Sequence, residues 1–288
     1  MAALQLLAPA KINLYLRVVA KRPDGYHELE TLFQRTSLSD TLSFEPHPSE
    51  VQLTCDNPDL SCGEDNLVMK AARLLQAQAG KALGARMHLS KRIPIAAGLG
   101  GGSSDAATAL EGLNQLWGLN VDRQTLIEFG AQLGSDVAFF LHNLPFAVAT
   151  GRGEFCRPAA ASGKLVQVLV VPNAHLSTPE IFKGSQFNLT GDKPSIKMLE
   201  HALINGSLSE LASGLYNDLE PEAIRRCPII ATIQETLTRS GCLAARMSGS
   251  GPSVFGLCRD WQHAKSVTEA LRQWTTQPWL IDIIETAV

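Results

Sequence analysis

Several signatures are missing from this chain of 288 residues, and each absence removes a class of function. The six cysteines, at positions 55, 62, 156, 227, 242 and 258, form no Cys-x-x-Cys pair, and none neighbours a histidine at metal-ligand spacing. A zinc ribbon and a thioredoxin-like redox motif are thereby excluded. The thiols are expected to be reduced and mostly buried, as in a reducing cytosol. Charge is sparse, with 18% charged residues and a formal net charge of −3, against a usual charged share of about 25%. No basic stripe stands out, so nucleic acid is not expected as a partner. No apolar run approaches the roughly 18–20 residues of a membrane helix. Met1 to Leu7 lacks the basic leader and cleavage pattern of a signal peptide. The expectation is a cytoplasmic protein with no membrane partner, a monomer or homodimer. Internal repeats and low-complexity segments are also absent. What is present is a hydrophobic share of 45%, enough for the packed core of one large domain or two ordinary ones.

The most informative stretch is Pro94-Ile95-Ala96-Ala97-Gly98-Leu99-Gly100-Gly101-Gly102-Ser103-Ser104-Asp105-Ala106-Ala107. Clustered glycines cost conformational entropy, and one reason to keep them is close approach of a ligand to the backbone. Ala106, Ala109, Leu110, Leu113 and Trp117 form an apolar stripe at helical spacing after the loop. Ser103 or Ser104 can cap that helix, with Asp105 as a favourable first-turn charge. A short strand from Ala85 to Lys91 precedes the loop. Strand, glycine loop and helix start together form a seat for phosphate. A flexible surface loop before an ordinary helix is the plain alternative.

Residues 6 to 19 alternate in polarity. Ile12, Leu14, Leu16 and Val18 share one face of a strand, and Lys11, Asn13, Tyr15 and Arg17 the other. On a half-solvated strand Lys11 and Asn13 would simply be exposed. Arg22-Pro23-Asp24-Gly25-Tyr26-His27 is a turn followed by an aromatic and a histidine. Leu29 to Phe33, Asp40 to Phe44 and Val51 to Thr54 read as short strands. Asp65-Asn66 reads as a helix start, and Gly134-Ser135-Asp136 as a turn with an N-cap. Gly151-Arg152-Gly153-Glu154 reads as a structural turn. Composition shifts at residues 157–163, which places a boundary between domains of residues 1–158 and 159–288. Beyond it come a strand from Val166, a helix from Thr178, a polar loop at 184–194, and helices at 195–204, 207–215 and 221–240. Two strands enclosing Ser248-Gly249-Ser250-Gly251-Pro252, a helix from Trp261 to Trp274 and a last strand from Trp279 complete an α+β pattern.

The glycine loop lacks the lysine of a Walker A motif and the spacing of a dinucleotide fingerprint. A protein-kinase loop would need His-Arg-Asp and Asp-Phe-Gly downstream, and neither exists here. Three pieces remain together: Pro9-Ala10-Lys11-Ile12-Asn13, the loop Gly98 to Ser104, and Ser248-Gly249-Ser250-Gly251-Pro252. In order and spacing they resemble the three motifs of the GHMP small-molecule kinases across the whole chain. Arg22 to His27, Asn66-Leu67, Gly134-Ser135-Asp136-Val137 and Met247 look most like the branch that acts on a cytidine diphosphate-linked methylerythritol.

The resemblance implies a two-domain α+β fold, with an S5-like N-terminal domain, a ferredoxin-like C-terminal domain and the active site in the cleft between them. It implies ATP as co-substrate with Mg²⁺, and transfer of the γ-phosphoryl group to a 2-hydroxyl of the acceptor. Lys11 and Asp136 are the implied catalytic residues. Pro94, Gly98, Leu99, Gly100, Gly101, Gly102, Ser103 and Ser104 would cradle the triphosphate, and Asn66, Leu67 and Lys91 would lie on the adenine side. Asn13, Tyr26, His27 and Phe182 would meet the acceptor. No metal-ligating side chain is assigned. Another GHMP kinase, of the mevalonate or homoserine type, and a non-catalytic nucleotide-binding protein on the same fold stay open. Tyr26-His27 discriminates the first, because those acceptors carry no pyrimidine to stack.

Overall fold

A computed structural model describes residues 4–187 and 193–287. The first half opens with the strands β1 (Leu4–Lys21), β2 (His27–His47) and β3 (Val51–Cys55), followed by helix α1 (Leu67–Ala79) and strand β4 (Gly84–Ser90). Helices α2 (Gly101–Trp117), α3 (Arg123–Leu133) and α4 (Val137–His142) come next, then strands β5 (Phe146–Gly151) and β6 (Phe155–Pro158). A seven-stranded sheet runs β3-β4-β2-β1, with β5 on the other half of β2 and β6 beside β5. Its last member comes from the second half of the chain. Strand β7 (Val166–Val171) and helices α5 (Thr178–Gly184), α6 (Ile196–Asn205) and α7 (Leu208–Gly214) lead to the two-residue β8 (Tyr216–Asn217), which pairs parallel to β1. Then follow α8 (Glu220–Arg226), α9 (Ile229–Arg239), β9 (Ala244–Met247), β10 (Val254–Cys258), α10 (Trp261–Trp274) and β11 (Leu280–Glu285). The second sheet is antiparallel in the order β11-β7-β10-β9. Numbered within that unit the order is 4-1-3-2, the split βαβ arrangement of ferredoxin-like domains.

Three differences from the sequence reading have physical causes. The strands expected at 29–33 and 40–44 are one 21-residue strand, because β2 pairs with β1 on both sides of a bulge at residues 36–38, where Thr36 bridges to Thr286 instead. The helix expected at 221–240 is two, broken where Cys227 precedes Pro228 and leaves the helical region at φ −136°. The strand expected to have one apolar face is covered on both. Ile12 and Leu14 pack with Leu169 and Phe255 of the second sheet, while α2 lies against the strand as well. Lys11 and Asn13 are therefore 4% and 2% exposed, which overturns the solvated-face alternative. The six cysteines are free; Cys242 and Cys258 are buried and the other four half-buried. Among the described residues no helix is long and apolar enough to cross a membrane. Of the polar loop at 184–194, residues 188–192 lie outside the described residues.

Candidate active site

The three distant motifs meet at one serine. Ser248 Oγ accepts from the backbone N–H of Asn13 at 3.2 Å and donates to the Gly98 carbonyl at 3.0 Å. Lys11 N–H donates to the Leu99 carbonyl at 2.9 Å, and Ser253 N–H to that of Ala97 at 3.3 Å. The contact explains the first glycine of the loop. Gly98 has φ +79°, and a Cβ there would lie 2.2 Å from the Ser248 carbonyl oxygen.

The glycine loop ends differently from the sequence reading. Helix α2 begins at Gly101, its N-cap is Gly100 in the left-handed region at φ 71°, and no side chain caps it. Ser103 and Ser104 lie inside the first turn. Ser103 stays half-exposed and lines the cleft, whereas Ser104 is fully buried and its Oγ has no partner. The first N–H groups of α2 are thus left for a ligand, together with the positive end of the helix. Gly102 is exposed, and a Cβ there would meet nothing closer than Leu67 Cδ1 at 3.9 Å.

Asp105 does not serve as a solvent-facing first-turn charge. It is buried, with Oδ2 2.8 Å from Lys91 Nζ and Oδ1 unpartnered. Lys91 also donates to Asp40, whose other oxygen accepts from the N–H groups of Arg92 and Ile93 at 2.6 and 2.8 Å. Burial opposes the Lys91 charge, but the two carboxylates outweigh it and hold the ammonium above its usual value. Burial pushes the Asp105 carboxyl up to about 7 against the pull of Lys91. The trio ties β2, the end of β4 and the first turn of α2 together beneath the loop.

Asp136 occupies the N-cap position of α4 but makes no capping hydrogen bond. Its carboxylate instead lies 3.4 Å from Lys11 Nζ. Lys11 is fixed on three sides. It donates to Asn13 Oδ1 at 2.6 Å, sits 5.1 Å from the Phe33 ring centroid and faces Asp136. Asn13 donates in turn to Thr31 Oγ1 at 2.8 Å, and Thr31 to the Tyr15 carbonyl. Bulges in the pairing of β1 with β2 flank the Lys11-Ile12-Asn13 segment, and such irregularities re-aim side chains.

A cleft of about 1350 Å³ runs past Lys11, Asn13, Lys91, Asp105, Asp136 and the loop from Pro94 to Ser103. Of the residues assigned to catalysis, ATP or the acceptor, only Ser104 is absent from its lining. At one end lie Asn66 and Leu67. Asn66 caps α1, accepting from Val68 N–H at 2.8 Å and donating to the Ser61 carbonyl at 2.6 Å, so both ends of its amide are engaged within the protein. At the other end His27 stacks on Phe182, with centroids 5.1 Å apart and an interplanar angle of 23°. Tyr26 is 56% exposed beside them.

Sequence reasoning missed two groups here. Phe187 packs edge-on against His27 at 5.2 Å, in a loop that carries no motif. Arg152 stands over the Tyr26 ring at 5.1 Å and lines the cleft, although its Gly-Arg-Gly-Glu setting read as a plain turn. An arginine flanked by glycines on a strand end was the signal available. Burial lowers His27 below its usual value, and the charge of Lys21 adds to the effect. Among the described residues no cluster of three or more His, Cys, Asp or Glu side chains could cage a metal ion.

Comparison with known proteins agrees with this geometry. The family model for the N-terminal domain of GHMP kinases matches residues 66–143, and the C-terminal model matches residues 199–276. The 4-diphosphocytidyl-2-C-methyl-D-erythritol kinase of Pelotomaculum thermopropionicum is 42% identical over 94% of this chain and 94% of that protein. The chain belongs to the 4-diphosphocytidyl-2-C-methyl-D-erythritol kinase family of GHMP kinases. The enzyme of that name from Syntrophus aciditrophicus is 41% identical over 93% of this chain and 94% of its own length. A crystal structure of a 4-(cytidine 5'-diphospho)-2C-methyl-D-erythritol kinase superposes with a TM-score of 0.83 at 37% identity, covering 98% of this chain and 99% of that one. Homoserine kinase from Cytophaga hutchinsonii shares the fold, with a TM-score of 0.77 at 17% identity. This kinase thus carries the family's two-domain fold.

Proposed function

We propose that this kinase transfers the γ-phosphoryl group of ATP to the 2-hydroxyl of 4-diphosphocytidyl-2-C-methyl-D-erythritol, a step of the non-mevalonate route to isopentenyl diphosphate. The observation that carries the acceptor choice is the His27, Phe182 and Phe187 cluster, which shares one cleft with the Lys11–Asp136 pair and the glycine loop. A pyrimidine needs a stacking face; mevalonate and homoserine do not.

Phosphoryl transfer depends on position and charge neutralisation. The free N–H groups at the start of α2 and the backbone of Gly98 to Gly102 receive the triphosphate. Ser103 donates its hydroxyl, and Ser104, being buried, supports the turn from below. Asn66 and Leu67 shape the adenine end, through backbone and apolar contact since the Asn66 amide is engaged. Lys91 acts there beneath the loop, through its hold on Asp105 and Asp40. Asp136 accepts the hydrogen bond of the acceptor hydroxyl. As the oxygen attacks the γ-phosphorus and the bond to the β-phosphate oxygen breaks, the hydroxyl proton passes to Asp136 and ADP departs. Lys11, aimed by Asn13, neutralises charge on the transferring group. The donor set fits a Mg²⁺ that arrives with the triphosphate, since such an ion needs one or two protein oxygens and no cage. The half-exposed Ser103 hydroxyl at the start of α2 is the protein oxygen that would hold it, and the ion would supply further charge neutralisation. The aromatic cluster and Tyr26 hold the cytidine end, with Arg152 placed for its diphosphate. We place the domain boundary at residues 158–159, the kinase in the cytoplasm, and its assembly as monomer or homodimer without nucleic acid.

The test is coupled ATP turnover with four acceptors: the cytidylyl methylerythritol diphosphate, mevalonate, homoserine and galactose. Turnover is expected with the first alone. Preference for any of the other three would refute the reading.

A further inference from the structure

The third motif contributes Gly249 and Ser250 to the cleft; its own turn is closed by Ser248 N–H to Ser253 and Gly251 N–H to Ser248, both at 2.9 Å, but the carbonyls of Met247 and Gly249 are held from outside it. The fixing groups come from the segment around β8. Asn217 is 5% exposed, and its side chain is fully used. Its amide nitrogen donates to the Met247 carbonyl at 2.9 Å and to the Gly249 carbonyl at 2.8 Å, while its Oδ1 accepts from Leu219 N–H at 2.9 Å. Glu220 accepts from Met247 N–H at 2.8 Å. The same segment is bound to the strand that carries Lys11. Leu16 pairs with Asn217, and Asp218 N–H donates to the Leu16 carbonyl at 2.9 Å.

The path from Asn217 to the reacting groups is short. Gly249, whose carbonyl Asn217 holds, has its Cα so placed that a Cβ would sit 3.0 Å from the Gly98 carbonyl oxygen and 3.4 Å from Asn13 Oδ1. Asn13 Oδ1 is the atom that receives Lys11 Nζ. Ser248, between the two held carbonyls, bonds both Asn13 and Gly98. A carboxamide is the one small side chain that offers two N–H donors and an acceptor in a plane. We propose that Asn217 is a positioning residue for phosphoryl transfer, setting the Ser248-Gly249 backbone that in turn aims Asn13 and Lys11. The inference rests on the proposed kinase reaction.

Asn217→Asp keeps the size but replaces both donors with a carboxylate facing two carbonyls. Each variant is assayed as kcat per ATP-binding site, with sites counted by calorimetric titration, so that unfolded molecules drop out. Wild-type turnover of the cytidine acceptor is measured first, and its absence would overturn the kinase reading itself. Given that turnover, Asn217→Asp is expected to lower kcat per site by about tenfold or more, because misplacement of about 1 Å at a transfer site costs up to about a hundredfold. Its loss and that of Ser248→Ala should be non-additive in the double variant, as for residues in one chain of contacts. A kcat per site within about twofold of wild type, or losses that simply multiply, would overturn the proposal. If Asn217→Asp yields no folded protein, Asn217→Ser, which removes one donor, is read by the same two criteria.

Discussion

Exchanging Asp136 for asparagine separates two roles that one position can play. As an N-cap, asparagine serves about as well as aspartate, so a capping residue would tolerate the change. As the acceptor of a proton, it would not. The geometry favours the second role, since the Asp136 side chain makes no capping hydrogen bond and stands 3.4 Å from Lys11 Nζ. Asparagine keeps the shape and leaves Lys11 bonded to Asn13 at 2.6 Å, so the ammonium stays in place. The loss is then that of general-base assistance, about 10²–10⁴ in rate, or about 3–5 kcal/mol at 1.36 kcal/mol per tenfold. Steady-state kinetics with both substrates gives the split. kcat should fall by that factor while the affinity for ATP, held by the glycine loop, changes less than about threefold. Unchanged helical content and melting temperature would show that the fold survives. A folded Asp136→Asn enzyme with near-normal kcat would remove Asp136 from the reaction and restore the capping role.

Other consequences are equally direct. Phe182→Ala removes the ring stacked on His27; at about 1–3 kcal/mol per stacked base, KM for the cytidine acceptor should rise about 5- to 150-fold with KM for ATP unmoved. Gly98→Ala puts a Cβ 2.2 Å from the Ser248 carbonyl at a positive φ, so kcat should collapse together with a lower melting temperature, and a fully active variant would show that the loop and the third motif do not touch. His27 has its folded-state value lowered by burial and then by Lys21. Its contribution to stability is therefore present above the unfolded value of about 6.5 and lost as pH falls through the folded value. Urea unfolding on acidification should thus cost wild type more stability than His27→Gln, and parallel pH curves would contradict the assignment.

What the sequence revealed was chiefly what local chemistry dictates. The stripe from Ala106 to Trp117 gave helix α2, Asn66 marked a helix start as its cap, and the family motifs named Lys11 and Asp136 before their distance was known. Properties set by distant partners were hidden. Lys11 and Asn13 look solvent-facing on a strand, and it is the glycine loop, Phe33, Asp136 and the Ser248-Gly249 turn, all distant in sequence, that close over them. Asp105 looks like a first-turn charge until Asp40 and Lys91, from two other elements, meet it. Asn217 sits in a strand of two residues that no periodicity can announce. Phe187 lies in a loop without a motif, and reaches His27 only through the fold.

The central claim is that one cleft joins an ATP seat, a Lys–Asp pair and a pyrimidine site. Phosphorus NMR of the product tests it most directly, after incubation with ATP, Mg²⁺ and 4-diphosphocytidyl-2-C-methyl-D-erythritol. The account predicts ADP and, in equal amount, a new phosphomonoester on the 2-hydroxyl with the diphosphate intact. An unchanged acceptor spectrum, under conditions where the same enzyme phosphorylates mevalonate or homoserine, would contradict it.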